Sequence, residues 1–362
     1  MSDLRVAVLG VGMMGGFHVE ALSRRIHGAT VTVINDFDRS KASAIAGSVG
    51  ARVEDDPFAA IQAPDVDAVV IASPGPAHEK QVLACLDRGI PVLCEKPLTI
   101  DPGTALEVVR AEQRTGRQLV QLGFMRRFDP EYVAAKQLID SGDVGRVLLL
   151  HCIHRNMANG PHFDSAMMIT DSVVHEVDVA RFLLGEEITS VQVLKPAPTS
   201  AAPEGVFDPM VVIFRTESGV IVTVEIFVRA QVGYEVRTEV VGERGSTMFG
   251  LDQHGVTKIA GNDGGRWGGP VPPGFVERFA TAYHLELQRW VDAARNGGID
   301  GPGAWDGYAA VAVCAAGVQA VRTGEVVPVE LGGTTLGGIT PDGITRDGIT
   351  AAGTQDEHEV GS

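Results

Sequence analysis

The chain reads as an α/β fold: a doubly wound parallel sheet in its first third, then an α+β half built on a large, mostly antiparallel open sheet. Two observations predict this. Short β-rich runs alternate with helical periodicity from Leu4 to Leu122, and strands separated by helices run parallel with helices on both faces. From Gly123 the alternation stops, and long β-rich runs follow one another between Ile188 and Ile259, with Thr216-Glu-Ser-Gly219 as a hairpin turn between two of them.

In order, Leu4 to Leu9 is a β-rich run ending in Gly10-Val-Gly12-Met13-Met14-Gly15, and a helical pattern follows through Phe17, Ala21 and Leu22. In that setting Gly10 permits a tight turn, Gly12 lets a pyrophosphate approach the backbone, Gly15 allows close helix packing, and the helix N-terminus offers amide donors. The second strand, Thr30 to Ile34, ends at Asn35-Asp36. An acidic side chain there can accept both adenosine ribose hydroxyls and would repel a 2′-phosphate, so the expected cofactor is NAD rather than NADP. Arg39 is the nearby group that could offset that preference.

The alternation continues through helix Arg39 to Ala46, a strand near Ala51 to Val53, helix Pro57 to Gln62 and strand Ala68 to Ala72. Ser73-Pro-Gly-Pro-Ala-His78 then forms a loop at the carboxyl end of the sheet, where ligands of such folds bind. His78 either serves that site or caps the next helix. Helix His78 to Arg88, strand Ile90 to Leu93, the segment Cys94-Glu95-Lys96-Pro97, helix Pro102 to Thr115 and strand Gln118 to Leu122 complete about six βα units. A lysine directly after a buried strand at this end of the sheet faces the ligand crevice.

In the second half, Pro130 to Asp140 is helical, and Arg146 to His154 is a strand whose period of two puts His154 and Asn156 on one face. From Thr170 to Leu184 a helix carries Val173, Val177, Ala180 and Leu184 as an apolar stripe, with Asp171, His175 and Asp178 opposite. A carboxylate four residues before His175 can orient its imidazole and raise its basicity, giving a proton acceptor near neutral pH. Helices Phe275 to Ala294 and Ala304 to Val321 follow, and the last stretch, Leu331 to Ser362, is Gly-rich without an aromatic residue and reads as a mobile tail.

A length of 362 residues with 44% hydrophobic content suits two cores, which the pattern divides into residues 1–122, 123–331 and a tail at 332–362. Thirty basic against 46 acidic residues give a net charge of −16, which argues against nucleic acid and anionic membranes as partners. Cys85, Cys94, Cys152 and Cys314 are scattered, without a metal-binding pair, and read as reduced thiols of a cytoplasmic protein. No compact ligand motif supports a metal site, and no run approaches the roughly 18 apolar residues of a membrane span.

Several separate motifs in order give the chain a resemblance to a known family. They are Gly10 to Gly15, Glu95-Lys96-Pro97, Gly123-Phe-Met-Arg126-Arg-Phe-Asp-Pro130, His154-Arg-Asn156, Asp171-Ser-Val-Val-His175-Glu-Val-Asp178, Gly233-Tyr234 and Gly303-Ala-Trp305-Asp306-Gly-Tyr308. Together they resemble the Gfo/Idh/MocA oxidoreductases, and within these the enzymes that oxidise myo-inositol at C2. The resemblance implies Lys96, Asp171 and His175 as catalytic groups, with Lys96 reaching between nicotinamide and substrate and the acid–base pair on Asp171 and His175. It implies cofactor contacts from the glycine loop with Met13 and Met14, and from Asp36, Ser73, His78 and Glu95. Substrate contacts fall on Arg126, His154, Asn156, Ser172, Asp178 and Tyr234. A homotetramer is also implied. Other polyol or sugar dehydrogenation, or NAD-dependent glycoside hydrolysis on the same scaffold, are the competing expectations.

Overall fold

The computed structural model describes residues 3–231, 233–250, 258–260, 265–267 and 271–332. Apart from Gly332, the expected tail lies outside these residues. The first half contains β1 (Leu4–Leu9), α1 (Met13–Arg24), β2 (Ala29–Asn35), α2 (Arg39–Val49), β3 (Arg52–Val53), α3 (Pro57–Gln62), β4 (Ala68–Ile71), α4 (Gly75–Arg88), β5 (Val92–Cys94), α5 (Pro102–Thr115) and β6 (Val120–Leu122). The strands form a six-stranded parallel sheet in the order β3-β2-β1-β4-β5-β6. Strand β1 shows why both faces must be covered: Ala7 and Leu9 enter one hydrophobic core, while Leu4, Val6 and Val8 enter another on the opposite face. Asp38, Asp56 and Asp101 cap α2, α3 and α5 by accepting backbone N–H groups of the first turn, which fixes where those helices start.

Beyond β6 lie α6 (Pro130–Asp140), β7 (Val147–Arg155), α7 (Ser165–Met167), a π-helical turn (Met168–Val173), α8 (Val174–Leu184), β8 (Ile188–Leu194), β9 (Met210–Thr216), β10 (Ile221–Phe227), β11 (Glu235–Gly242) and β12 (Gly245–Phe249). A short pair, β13 (Lys258–Ala260) with β14 (Gly265–Trp267), precedes α9 (Phe275–Arg278), α10 (Ala280–Ala294), α11 (Ala304–Thr323) and β15 (Val327–Pro328). The second sheet has seven strands in the order β12-β11-β7-β10-β9-β8-β15. It is antiparallel except that β7 and β10 run parallel, since the chain leaves β7 through the α7–α8 segment before returning.

Two sequence expectations change. The helix expected from Phe275 to Ala294 breaks at Phe279, which leaves helical geometry and is fully buried beneath the guanidinium of Arg278. The expected helix from Thr170 begins instead as the π-helical turn, which shifts Asp171 relative to His175. Helix α11 is long and apolar enough to cross a membrane by length and composition alone, but 78% of that window is buried inside the protein.

The C-terminal helices return to the first sheet. Leu287, Trp290, Val291 and Ala294 of α10 join the core of Val6, Val8, Ile34 and Val70. Gly307 of α11 packs so closely on the β5–β6 side that an added Cβ would stand 2.8 Å from Cβ of Leu98 and 3.0 Å from Cγ of Leu122. Alanine would gain about 1 kcal/mol in helix propensity, but overpacking such a contact costs about 1–3 kcal/mol. Gly307→Ala is therefore expected to lower the midpoint of urea unfolding, and an unchanged or higher midpoint would show that the helix has room to shift.

Candidate active site

Strand order reverses between β1 and β4, so a crevice opens at their carboxyl ends. On its β1 side, Gly10 has φ +81°, and a Cβ there would stand 2.6 Å from the Ala72 carbonyl. A Cβ on Gly15 would collide with the Gly10 carbonyl at 1.9 Å, whereas Gly12 faces open space. The loop is thus tight where it meets protein and bare where a pyrophosphate would lie. Asp36, at the end of β2, accepts the Val11 N–H at 2.7 Å and the Asp38 N–H at 2.9 Å. Its carboxylate is held beside the loop with acceptor capacity remaining, so these residues fit an adenine dinucleotide.

A cavity of about 550 Å³ continues from this crevice. Met13, Met14, Ser73, Glu95 and Lys96 line it from the first sheet, and His154, Asn156, Asp171, Ser172, His175 and Tyr234 from the second half. The fold therefore brings together most of the residues singled out in the sequence. Lys96 Nζ donates to Asp171 Oδ1 at 2.7 Å and to the Asp171 carbonyl at 2.9 Å. His175 lies edge-on to Phe124, with ring centroids 6.4 Å apart. Burial lowers its pKa well below the usual value, and the charges of Arg126 and Lys96 push in the same direction.

Four expectations need correction. Among the described residues no hydrogen bond joins Asp171 to His175. The π-helical turn takes the carboxylate out of register with the imidazole, and Lys96 claims it. The basicity of His175 is accordingly lowered by its surroundings, not raised. Asp178 does not line the cavity: it is buried, and its oxygens accept Nε of Arg127 at 3.0 and 3.1 Å and Nη2 at 2.7 Å. Arg126 is also buried behind the wall, ion-paired with Glu176, so both arginines of the Arg126-Arg127 pair are internal. His78 is fully occupied elsewhere. Its Nδ1 lies 2.8 Å from the Pro97 carbonyl and its Nε2 2.7 Å from the Ser73 carbonyl, so it ties together the two loops that carry Ser73 and Lys96.

Sequence reasoning missed Glu176 and His18, although each stands beside a motif it used. Glu176 Oε2 lies 3.1 Å from His154 Nδ1. His18, three residues after Gly15, places Nε2 2.6 Å from Glu95 Oε1, and Gly123 is bare because a Cβ there would approach Glu95 Oε2 to 2.9 Å. Asn159, Phe275 and Tyr283 also line the cavity, from a loop and helices without a local motif.

The family model described as "Oxidoreductase family, NAD-binding Rossmann fold" matches residues 4–124, and the "GFO/IDH/MocA C-terminal domain" matches residues 132–248. An inositol 2-dehydrogenase of Rhodococcus erythropolis is 58% identical, with 91% of this chain and 96% of that protein covered. One from Mycolicibacterium smegmatis is 57% identical over 91% and 97% of the two chains. Among solved structures, myo-inositol dehydrogenase from Lactobacillus casei in complex with NAD(H) and myo-inositol is similar with a TM-score of 0.86 and 33% identity, covering 92% of this chain and 99% of that one. The scyllo-inositol dehydrogenase of the same organism, with NAD(H) and scyllo-inositol, gives a TM-score of 0.80 at 26% identity, covering 91% and 99%.

Glu286, three residues beyond Tyr283 on α10, is fully buried, and neither carboxyl oxygen has a hydrogen-bond partner among the described residues. Burial, reinforced by the Glu95 and Asp178 carboxylates, raises its pKa well above the ordinary 4.5. The folded state thus holds the proton more tightly than the unfolded chain does. This contribution to stability is intact below about pH 4.5 and is lost as pH rises. Glutamine carries no such titration. The stability advantage of Glu286→Gln over the parent, from urea unfolding, is therefore expected to grow between pH 4.5 and pH 8, and a difference independent of pH would contradict the assignment.

Proposed function

The chain belongs to the Gfo/Idh/MocA oxidoreductase family, and we propose that it oxidises myo-inositol at C2 to the 2-keto compound with NAD as hydride acceptor. The observation that carries this reading is the convergence of His175 and Lys96 with an uncharged hydrogen-bonding wall in one cavity that opens onto the glycine loop. Inositol 2-dehydrogenases at 57–58% identity over 91% of the chain support it.

Oxidising a secondary alcohol removes a hydride from carbon and a proton from oxygen. Gly10, Gly12, Gly15 and Asp36 would hold NAD, which would supply the hydride acceptor. His175, kept uncharged at neutral pH by burial and neighbouring cations, takes the hydroxyl proton. The same surroundings make it a weak base. Lys96 therefore carries part of the load, donating to the oxygen as negative charge develops there, while Asp171 holds the ammonium in place. An uncharged polyol offers only hydroxyls for recognition, and His154, Asn156, Ser172 and Tyr234 provide hydrogen-bonding groups from separate elements. Arg126 and Asp178 act behind this wall, as its support.

His175→Ala is expected to lower kcat by about 10² to 10⁴, the usual worth of a general base, while leaving NAD affinity near the parent value. NADH formation from myo-inositol, followed by absorbance, measures the first, and NAD titration the second. A folded His175→Ala protein with parent-like kcat/KM would remove the mechanism.

The division of the chain near Gly123 into cofactor and substrate halves, a cytoplasmic location and a homotetramer belong to the same proposal. The outward face of the seven-stranded sheet supports assembly, because partly exposed Ile213, Ile221 and Phe227 lie among ion pairs such as Arg155 with Glu225 and Glu235. Sedimentation at micromolar concentration is expected to give a tetramer, and a monomer there would contradict it.

A further inference from the structure

His154 and Asn156 share one face of β7 and its continuation, and both line the cavity. What each can exchange with a ligand depends on where its hydrogens sit. Behind His154 stands Glu176, 1% exposed. Burial alone would raise its carboxyl pKa, but the Arg126 guanidinium is the strongest opposing influence and the pKa comes down to about 2. Glu176 is a carboxylate at neutral pH and has no proton to give. The hydrogen between its Oε2 and Nδ1 of His154, 3.1 Å apart, therefore belongs to Nδ1. Arg126 competes for the same nitrogen, since its Nη2 can only donate and lies 3.4 Å away, but the carboxylate is closer at 3.1 Å and Nη1 of the same guanidinium is engaged by Glu176. With the proton held on Nδ1, the uncharged form of the ring leaves Nε2 as the nitrogen free to accept from a ligand.

We propose that Glu176 is a positioning residue which fixes the proton of His154 on Nδ1 and so makes His154 Nε2 a hydrogen-bond acceptor in the cavity, to which the polyol must present a hydroxyl hydrogen. The inference rests on the polyol-oxidation reading and deepens it. The site selects a free hydroxyl opposite His154, and an ether, ketone or fluorine there, which accepts but cannot donate, is refused.

Two measurements on the full-length protein with NAD test this. In ¹⁵N-histidine NMR of the parent enzyme, the ring whose signals vanish in His154→Gln is expected to show a protonated Nδ1 and a bare Nε2. The opposite tautomer would overturn the proposal whatever the kinetics. The second measurement compares mono-deoxy with mono-deoxyfluoro myo-inositols. At the carbon whose deoxy penalty disappears in His154→Leu, both analogues are expected to fall about 10- to 100-fold below myo-inositol in kcat/KM, the scale of a buried hydrogen bond lost. A deoxyfluoro compound clearly better than its deoxy partner, or no carbon that responds to His154→Leu, would equally overturn it. In Glu176→Gln the amide can donate to Nδ1 and release the proton to Nε2, so the deoxyfluoro compound should then gain on the deoxy one, with KM for NAD unchanged within about twofold. Should that variant fail to fold, the tautomer and the parent analogue series decide. Failure of the parent to form NADH from myo-inositol would count against the polyol reading alone, because the NMR result still decides the role of Glu176.

Discussion

Helix α8 is buried along nearly its whole length and yet carries Glu176, Asp178 and Arg181. A buried charge without a partner costs several kcal/mol, so each of these side chains dictates what must stand opposite it. Glu176 takes Arg126, Asp178 takes Arg127, and Arg181 takes Glu187 and Asp306. Arg127 reaches Asp306 as well, linking α8 to the start of α11. The segment after β6, the central helix and the C-terminal helix are thereby locked in a single register. Burial would by itself raise the pKa of Asp306, but Arg127 and Arg181 more than offset this and hold it far below the ordinary carboxylate range.

That register decides the chemistry of the cavity. Because α8 cannot rotate without breaking its pairs, His175 and Ser172 stay turned toward the crevice while Asp178 stays turned away. Glu176 occupies Nδ1 of His154 from behind, which leaves the other ring nitrogen for a ligand. From the opposite side, His78 joins the Ser73 loop to the Lys96 loop and His18 holds Glu95, so the first-sheet half of the cavity is fixed too. Geometry of this kind matters because proton and hydride must leave one carbon–oxygen unit together, and small misplacements of the groups that receive them cost rate steeply.

The cavity also contains little uncompensated charge. Lys96 is balanced by Asp171, and the buried arginines behind the wall are matched by carboxylates. A neutral polyol can enter such a site without displacing an ion, and its affinity then depends on many directed hydrogen bonds. An α10 that packs on the first sheet and an α11 that packs on both halves keep the two walls of the site together.

The sequence by itself determined the parallel sheet, the glycine loop, the acidic residue after β2 and the lysine after β5, because each follows from short-range rules: periodicity, glycine at a tight turn, a fixed place at the end of a strand. It also named most of the cavity-lining residues through the family motifs. Only the tertiary structure decided which partner each charged group takes. Asp171 meets Lys96 across 75 residues of chain, Arg126 meets Glu176 across 50 and Arg127 meets Asp178 across 51. A helical wheel placed Asp171 beside His175 and Asp178 in the site, but one π-helical turn and the burial of α8 on all sides reassigned both. Helical periodicity describes neighbours on one element, whereas the pairing of buried charge is settled by whichever opposite charge the packing of distant elements brings within reach.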